Sequence, residues 1–311
     1  MRKEHPAGII KEEKPYYTTA LGGFYLGDAT KLLKKLPTES VNLILTSPPY
    51  AIHEKKKYKK IGQEEYVDWF MNFADDFWRV LKKDGSLVID IGGGRKKGQP
   101  IRSTYQFELL LTLCKKFYLA QEFYWYNPAK LPTPAEWVTI RRIRVKDAVN
   151  FVWWFSKCPY PKADNRGVLQ PYSKDMEYLL EKGYKPKERP SGHKISNKFC
   201  KRNSGSIPPN LLIIPNTVSR SQYLKRCGEA KINPHPARFP SELPEFFVKF
   251  LTEEGDLVLD PFAGSNVTGE VCEKKNRRWL SFEIEEEFVI GSKFRFDNVL
   301  DGQGPRELDN F

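Results

Sequence analysis

Six short apolar runs punctuate the chain, each closed by glycine, proline or a small polar residue. They are GFYLGD (23–28), VNLILTSPPY (41–50), SLVIDIGGG (86–94), AVNFVWWFSK (148–157), DLVLDPFAGSN (256–266) and RWLSFEI (278–284). Brief β-branched and leucine-rich runs of this kind predict strands buried on both faces, hence a largely parallel sheet. Between them the period changes. In EEYVDWFMNFADDFWRVLKKDG (64–85) apolar residues recur at steps of three and four, which predicts a helix that stops at Gly85. Residues 246–251 predict another helix leading into the strand of GDLVLD. Alternating βα units predict a doubly wound, mostly parallel α/β domain. From Cys158 to Pro234 the rhythm breaks: the chain is rich in Lys, Ser, Asn, Pro and Gly, with little periodicity of either kind.

Composition narrows the class. At 311 residues the chain can bury a large core, as one big domain or one domain with a smaller module. A hydrophobic content of 40% with 14% aromatics excludes a disordered or fibrous chain. The net charge of +12 favours a polyanionic partner, and it is unevenly spread. Residues 158–234 hold 15 Lys/Arg against 6 Asp/Glu, whereas 241–311 hold 8 against 16. A basic middle beside a neutral-to-acidic end is what a fold with one DNA-facing side would show. The N-terminal MRKEHPAGIIKEEK has no apolar leader and no run reaches membrane-spanning length, so a cytoplasmic protein is expected. The five cysteines lack CxxC spacing and the four histidines are scattered, so neither disulfides nor a metal site is expected.

Two corners carry candidate chemistry. In DLVLDPFAGSNVTGE a strand closes at Asp260 and a tight turn opens a helix, the position where α/β folds bind nucleotide-like ligands. Only Gly264 and Gly269 are glycines, so this is not a pyrophosphate-binding GxGxxG loop. The next strand ends at Glu283, 19 residues after Gly264, where an acid accepts hydrogen bonds from ribose hydroxyls. A nucleoside without phosphates points to S-adenosylmethionine (AdoMet); a plain strand–turn–helix with a cap is the alternative. The other corner, TSPPY (46–50), also ends a buried strand. Proline has no N–H, so Pro48 and Pro49 leave a rigid segment of bare carbonyl acceptors, with a hydroxyl before it and a ring after it.

Together, TSPPY and DPFAGSNVTG resemble the paired motifs of DNA amino-methyltransferases, and their order resembles the permuted β class. The resemblance runs through almost the whole chain. YLGDATKLL resembles the N-terminal helper motif, and HPARFPSELPEFFVKFL the helix entering the cofactor strand. LPTPAEWVTIRRIRVKDAVNFVWWFSK and RPSGH…GSIPPNLL are similar to PvuII-type N4-cytosine methylases of restriction–modification systems. SPPY alone is weakly specific; the ordered set is strongly so.

The resemblance implies a Rossmann-like AdoMet-dependent methyltransferase fold. It divides the chain into a catalytic half (1–157), a basic target-recognition region (158–234) and an AdoMet-binding half (235–311). It implies that Ser47 Oγ and the Pro48 carbonyl accept from an –NH2, in a corner stiffened by Pro49, while Tyr50 stacks on a flipped base. An exocyclic amine is a poor nucleophile because its lone pair is delocalised; acceptors on its N–H bonds favour the pyramidal form that frees it. On the cofactor side it assigns Asp260, Phe262, Ala263, Gly264 and Ser265 to the AdoMet loop. Glu283 falls to the ribose, Asp28 to the adenine end, and Phe239 with its HPARFP neighbours to the methionine part. Local alternatives stand beside these: Asp260 as a helix cap, Phe262 as core, Asp28 as a turn residue.

His53 invites a general-base reading, but it precedes EKKKYKK (54–60), whose composition predicts a solvated loop, with Lys55, Lys56 and Lys57 as candidates for phosphate contact. Lys194, Lys198, Lys201 and Arg202 are further candidates for the DNA face, each with a solvated surface as its alternative. In the resembled family Ser at the first catalytic position, here Ser47, leans to cytosine N4, while Asp or Asn leans to adenine N6, the runner-up. Cytosine C5 chemistry would use a Pro-Cys pair, and the chain has none. A DNA-binding protein that has lost turnover is a separate alternative. The expected partner is double-stranded DNA, with a cognate endonuclease sharing the target without a stable complex, and the expected state is a monomer.

Overall fold

The structure, a computed structural model, describes residues 4–51, 61–183, 202–217 and 221–296. Two compact units are present, one formed by residues 1–163 with 210–311 and one by 164–209. In the larger unit the strands are β1 (Tyr17–Thr18), β2 (Gly22–Leu26), β3 (Val41–Thr46), β4 (Leu81–Ile91), β5 (Tyr118–Tyr126), β6 (Val149–Ser156), β7 (Leu211–Ile213), β8 (Leu257–Asp260) and β9 (Arg278–Glu283). Its helices are α1 (Ala29–Lys35), α2 (Tyr66–Val80), α3 (Tyr105–Leu113), α5 (Gln222–Glu229), α6 (Glu242–Leu251), α7 (Val267–Lys274) and α8 (Glu286–Ser292). The smaller unit holds α4 (Lys174–Lys182), capped by Ser173, and a bridge between Gln170 and Ser206.

Among the described residues the strands form one sheet in the order β1-β2-β9-β8-β3-β4-β6-β5-β7. Five neighbouring strands, β2, β9, β8, β3 and β4, run parallel; β6 then pairs antiparallel with both β4 and β5. Alternate residues of each inner strand feed two separate cores. Tyr25, Ile44, Leu87, Ile89, Trp153, Leu259 and Phe282 meet α1, α2 and α3 on one face. Phe24, Leu43, Val88, Trp154, Val258 and Trp279 meet α6, α7 and α8 on the other. This is the doubly wound α/β fold expected from the apolar runs, and it puts the C-terminal ends of β3, β4, β8 and β9 along one edge.

Helix α2 buries Tyr66, Phe70, Phe73, Ala74, Phe77 and Val80, one stripe at helical spacing. It ends earlier than expected. Val80 is the last helical residue and Leu81 already starts β4, so Gly85 lies inside a strand. The register between β3 and β4 slips there, from Val41↔Leu81 to Leu43↔Ser86. A side chain at Gly85 would meet the Lys82 backbone at 3.0 Å, so glycine serves this bulge rather than a helix cap. β5 was not evident from the pattern because its first five residues are exposed and mixed in polarity; only Phe123 and Trp125 are buried.

Arg79 ties two helices together. Its guanidinium donates to the Leu33 carbonyl at 2.7 Å and the Leu36 carbonyl at 2.6 Å, both at the C-terminal end of α1, where carbonyls run out of helical donors; Leu33 O accepts besides from the Leu36 N–H at 3.0 Å. Asp76 holds the same guanidinium at 2.9 Å. Arg79→Met keeps the packed stem and removes the donors, so it is expected to lower unfolding free energy by about 1–3 kcal/mol. Urea denaturation measures this, and an unchanged midpoint would sink the account.

Candidate active site

A cavity of about 1110 Å³ opens at the C-terminal edge of the parallel strands, above the roughly 300–1,000 Å³ typical of a small-ligand pocket. It has room for two ligand groups. The TSPPY corner supplies one wall and the DPFAGS turn the opposite one.

At the first wall β3 ends at Thr46, and Ser47, Pro48, Pro49 and Tyr50 all line the cavity. Asp90, near the end of β4, and Asn150, near the start of β6, come up beneath them. The Asp90 carboxylate accepts from Tyr50 OH at 2.8 Å, from Ser47 Oγ at 3.1 Å and from Asn150 Nδ2 at 3.1 Å. Asn150 Nδ2 also donates to Tyr50 OH at 3.1 Å. Ser47 has one proton. While that proton points at Asp90, the lone pairs of Oγ are left to accept from a ligand. The Asp90 carboxyl is raised to about 6: burial pushes it up, and the hydrogen bonds from Tyr50, Asn150 and Ser47 offset only part of that rise. Burial, with Asp90 next, also drives the Tyr50 phenol well above its usual value, so Tyr50 stays a neutral donor. Its ring packs on Gly92, where even a methyl group would come within 2.6 Å of it.

At the second wall the backbone does most of the shaping. Gly264 has φ 51, and a Cβ there would meet the His235 ring at 3.0 Å, so both conformation and space call for glycine. Its N–H donates to Glu283 Oε2 at 2.8 Å, while Glu283 Oε1 accepts from the N–H groups of Ile284 and Glu285 at 2.8 and 2.9 Å. Burial still leaves this carboxyl raised. Asn266, at φ 59, caps α7 by accepting from Gly269 N at 3.1 Å. Ser265 is held by the Arg295 guanidinium at 2.9 Å. Phe262 packs against Trp69 and Phe73 of α2, with ring centroids 5.7 and 5.0 Å away.

Most of the expected residues meet here. Asp28, Phe239, Phe262, Ala263, Gly264, Ser265 and Glu283 line the cavity with the TSPPY corner. Asp28 also caps α1, accepting from Thr30 N at 2.8 Å. Asp260 does not line it. Its buried carboxylate accepts from Thr46 at 2.8 Å, Thr268 at 2.7 Å and Phe262 N at 3.2 Å, joining the two walls from behind. Arg202 is exposed in the smaller unit. His53, Lys55, Lys56, Lys57, Lys194, Lys198 and Lys201 lie outside the described residues. His235, Pro236, Ala237 and Arg238, the expected neighbours of Phe239, line the cavity too, whereas sequence reasoning missed Asp90, Asn150, Trp69, Phe73 and Trp125, all on the cavity wall. A signal existed for two of them: Asp90 and Asn150 are the polar residues inside the apolar runs SLVIDI and AVNFVWW.

Comparison with known proteins agrees with this geometry. The sequence model of a family described as DNA methylase matches residues 41–293. The chain is 54% identical over 304 residues to type II methyltransferase M.PvuII of Proteus hauseri, covering 96% of this chain and 90% of that one. A solved structure named PvuII DNA methyltransferase (cytosine-N4-specific) superposes with a TM-score of 0.76 at 47% identity, covering 92% and 90% of the two chains. A putative DNA modification methylase of Thermus thermophilus, solved with S-adenosyl-L-methionine, shares the fold at TM-score 0.56 and 20% identity, over 88% and 91%.

The buried carboxyls set a pH dependence. The unfolded chain releases its carboxyl protons in the ordinary range, whereas folded Asp90 and Asp260 release theirs at about 6. The folded state therefore binds more protons in between, and these groups cost stability as pH rises from about 4 to about 6. Each contributes up to about 3 kcal/mol to that fall, at about 1.4 kcal/mol per pKa unit. The unfolding free energy of Asp90→Asn minus that of the wild type is thus expected to grow across that window. A difference that stays flat with pH would contradict the raised Asp90 value.

Proposed function

This chain belongs to the DNA methylase family, and on that premise we propose that it transfers a methyl group from AdoMet to the exocyclic N4 of a cytosine turned out of duplex DNA. Its place is the modification side of a restriction–modification system, with an endonuclease sharing the target and a monomer acting on each strand separately. The carrying observation is the serine hydrogen-bonded to a buried carboxylate, beside a proline corner that offers acceptors.

The second wall fits AdoMet. A glycine at positive φ lets the backbone approach the ligand, and a carboxylate fixed by three N–H groups keeps lone pairs for the ribose hydroxyls. Glu283 would take the ribose, Asp28 the adenine end, and Phe239 the methionine part, with Phe262, Ala263, Gly264 and Ser265 forming the loop. Asp260 acts from behind, positioning that loop. When bound, AdoMet supplies a methyl group already activated on a sulfonium centre.

The protein's part is positioning. Ser47 Oγ and the Pro48 carbonyl accept the two N4–H bonds, which favours a pyramidal nitrogen and frees its lone pair. Tyr50, backed by Gly92 and hydrogen-bonded through its OH, offers a fixed ring for the base. Asn150 keeps Tyr50 and Asp90 in place. As N4 sheds its proton, Ser47 Oγ takes it while its own proton passes to Asp90, whose raised carboxyl accepts it near neutral pH. The smaller basic unit and the Lys55–Lys57 and Lys194–Arg202 segments would then supply DNA contacts.

Incubation with AdoMet and mixed-sequence duplex DNA, followed by digestion and mass spectrometry, is expected to yield N4-methylcytosine. N6-methyladenine as the product would overturn the cytosine assignment. Ser47→Ala and Asp90→Asn are each expected to lower kcat by about 10²-fold with AdoMet affinity unchanged. In the wild type kcat should fall below about pH 6, where Asp90 takes up its proton, and Asp90→Asn should lack that limb. An acid limb that persists in Asp90→Asn would assign it to another group.

A further inference from the structure

The chain between β5 and β6 leaves the sheet at the cavity wall. Tyr126 and Val149 are paired at its base, and Trp125, Lys130 and Asn150 line the cavity. Residues 127–148 thus form an arm that starts beside the substrate corner. Its shape is held by polar contacts within the arm and to residues 100–102. Arg144 donates to the Pro100 carbonyl and pairs with Asp147 at 3.2 Å, Arg102 pairs with Asp147 at 3.0 Å, and Lys146 Nζ donates to the Lys130 carbonyl at 3.0 Å. One turn of helix at Glu136–Ile140 carries Trp137; the Arg141 guanidinium lies 4.9 Å over its ring and 2.7 Å from Glu136. Arg142 is held at φ 55, a left-handed backbone uncommon outside glycine.

On this ordered base four aliphatic side chains face water. Val145 is 84% exposed, Leu131 72%, Ile140 69% and Ile143 59%. A lone exposed aliphatic is ordinary; four on one short arm mark a contact surface. The arm carries five Lys/Arg against two Asp/Glu, and Lys130 and Arg142 form no ion pair among the described residues. Exposed apolar side chains among cations match a polyanion with stacked bases inside. Its root on the cavity wall selects duplex DNA over a lipid surface, because that cavity takes a base only after the stack has opened.

Resting on the cytosine-methylating reading, we propose that the 127–148 arm is the element that opens the duplex. Leu131, Ile140, Ile143 and Val145 wedge into the base stack and fill the gap left by the extruded cytosine, while Lys130 and Arg142 hold the phosphates beside it.

The test compares single-turnover methylation, at the cytosine mapped with wild-type protein, on two duplexes. In one the target is paired with guanine; in the other it faces an abasic site, so no pair has to be broken. Leu131→Ser and the double variant Ile140→Ser with Ile143→Ser are made in the full chain, and AdoMet binding by equilibrium dialysis checks their fold. At least one is expected to lose about tenfold or more on the paired duplex and less than about twofold on the abasic one. Leu111→Ser, at a 67% exposed position on α3, should change neither rate. Equal loss on both duplexes, or no loss on the paired one in either variant, overturns the proposal. Wild-type protein that methylates neither duplex overturns instead the reading on which it rests.

Discussion

One buried carboxylate holds the two halves of the site in register. Asp260 ends β8 and accepts from Thr46, the last residue of β3, across 214 positions of sequence. It accepts as well from Thr268 in α7 and from the Phe262 N–H within its own turn. Breaking it would leave a charge in the core with no water to replace the lost donors, a strongly unfavourable state. The proline corner and the cofactor turn therefore cannot drift apart independently. A transfer reaction that depends on closeness and alignment is served by an anchor that never touches either reactant.

The same economy governs the corner itself. Ser47 is a weak group by itself, and its use depends on where its single proton points. Asp90 decides that, and Asn150 and Tyr50 hold Asp90 in turn. The cost is a carboxylate in a dry setting, raised to about 6 by burial. Stability has been given up locally for a fixed proton, a pattern common at catalytic centres.

The fold was largely legible because its signals are local. Runs such as VNLIL and DLVLD need both faces covered, and their closing residues mark the ligand edge. The two motif corners were legible for the same reason. What escaped depends on distance or on an exposed edge. Asp90 and Asn150 acquire meaning only when β4 and β6 pair, Ile91 opposite Phe151, which brings residues 60 apart in sequence together. Trp69 and Phe73 read as core on α2 and serve the cavity only because Phe262 packs on them. The strand β5 hid behind its polar outer half, and the end of α2 was obscured by a glycine that serves a bulge.

The strand order has a consequence for how the molecule is made. β3 lies in the middle of the sheet, between β4 and β8, yet β4 follows it directly while β8 arrives with residues 257–260. During synthesis β3 can find one neighbour early; its other edge stays open until the last quarter of the chain emerges. An apolar strand with an unpaired edge is a template for wrong partners. The long-range closure also places loop entropy on the folding path, which slows it. The permuted arrangement that brings catalytic and cofactor corners together thus makes the growing chain dependent on protection of that edge until its final strands are released.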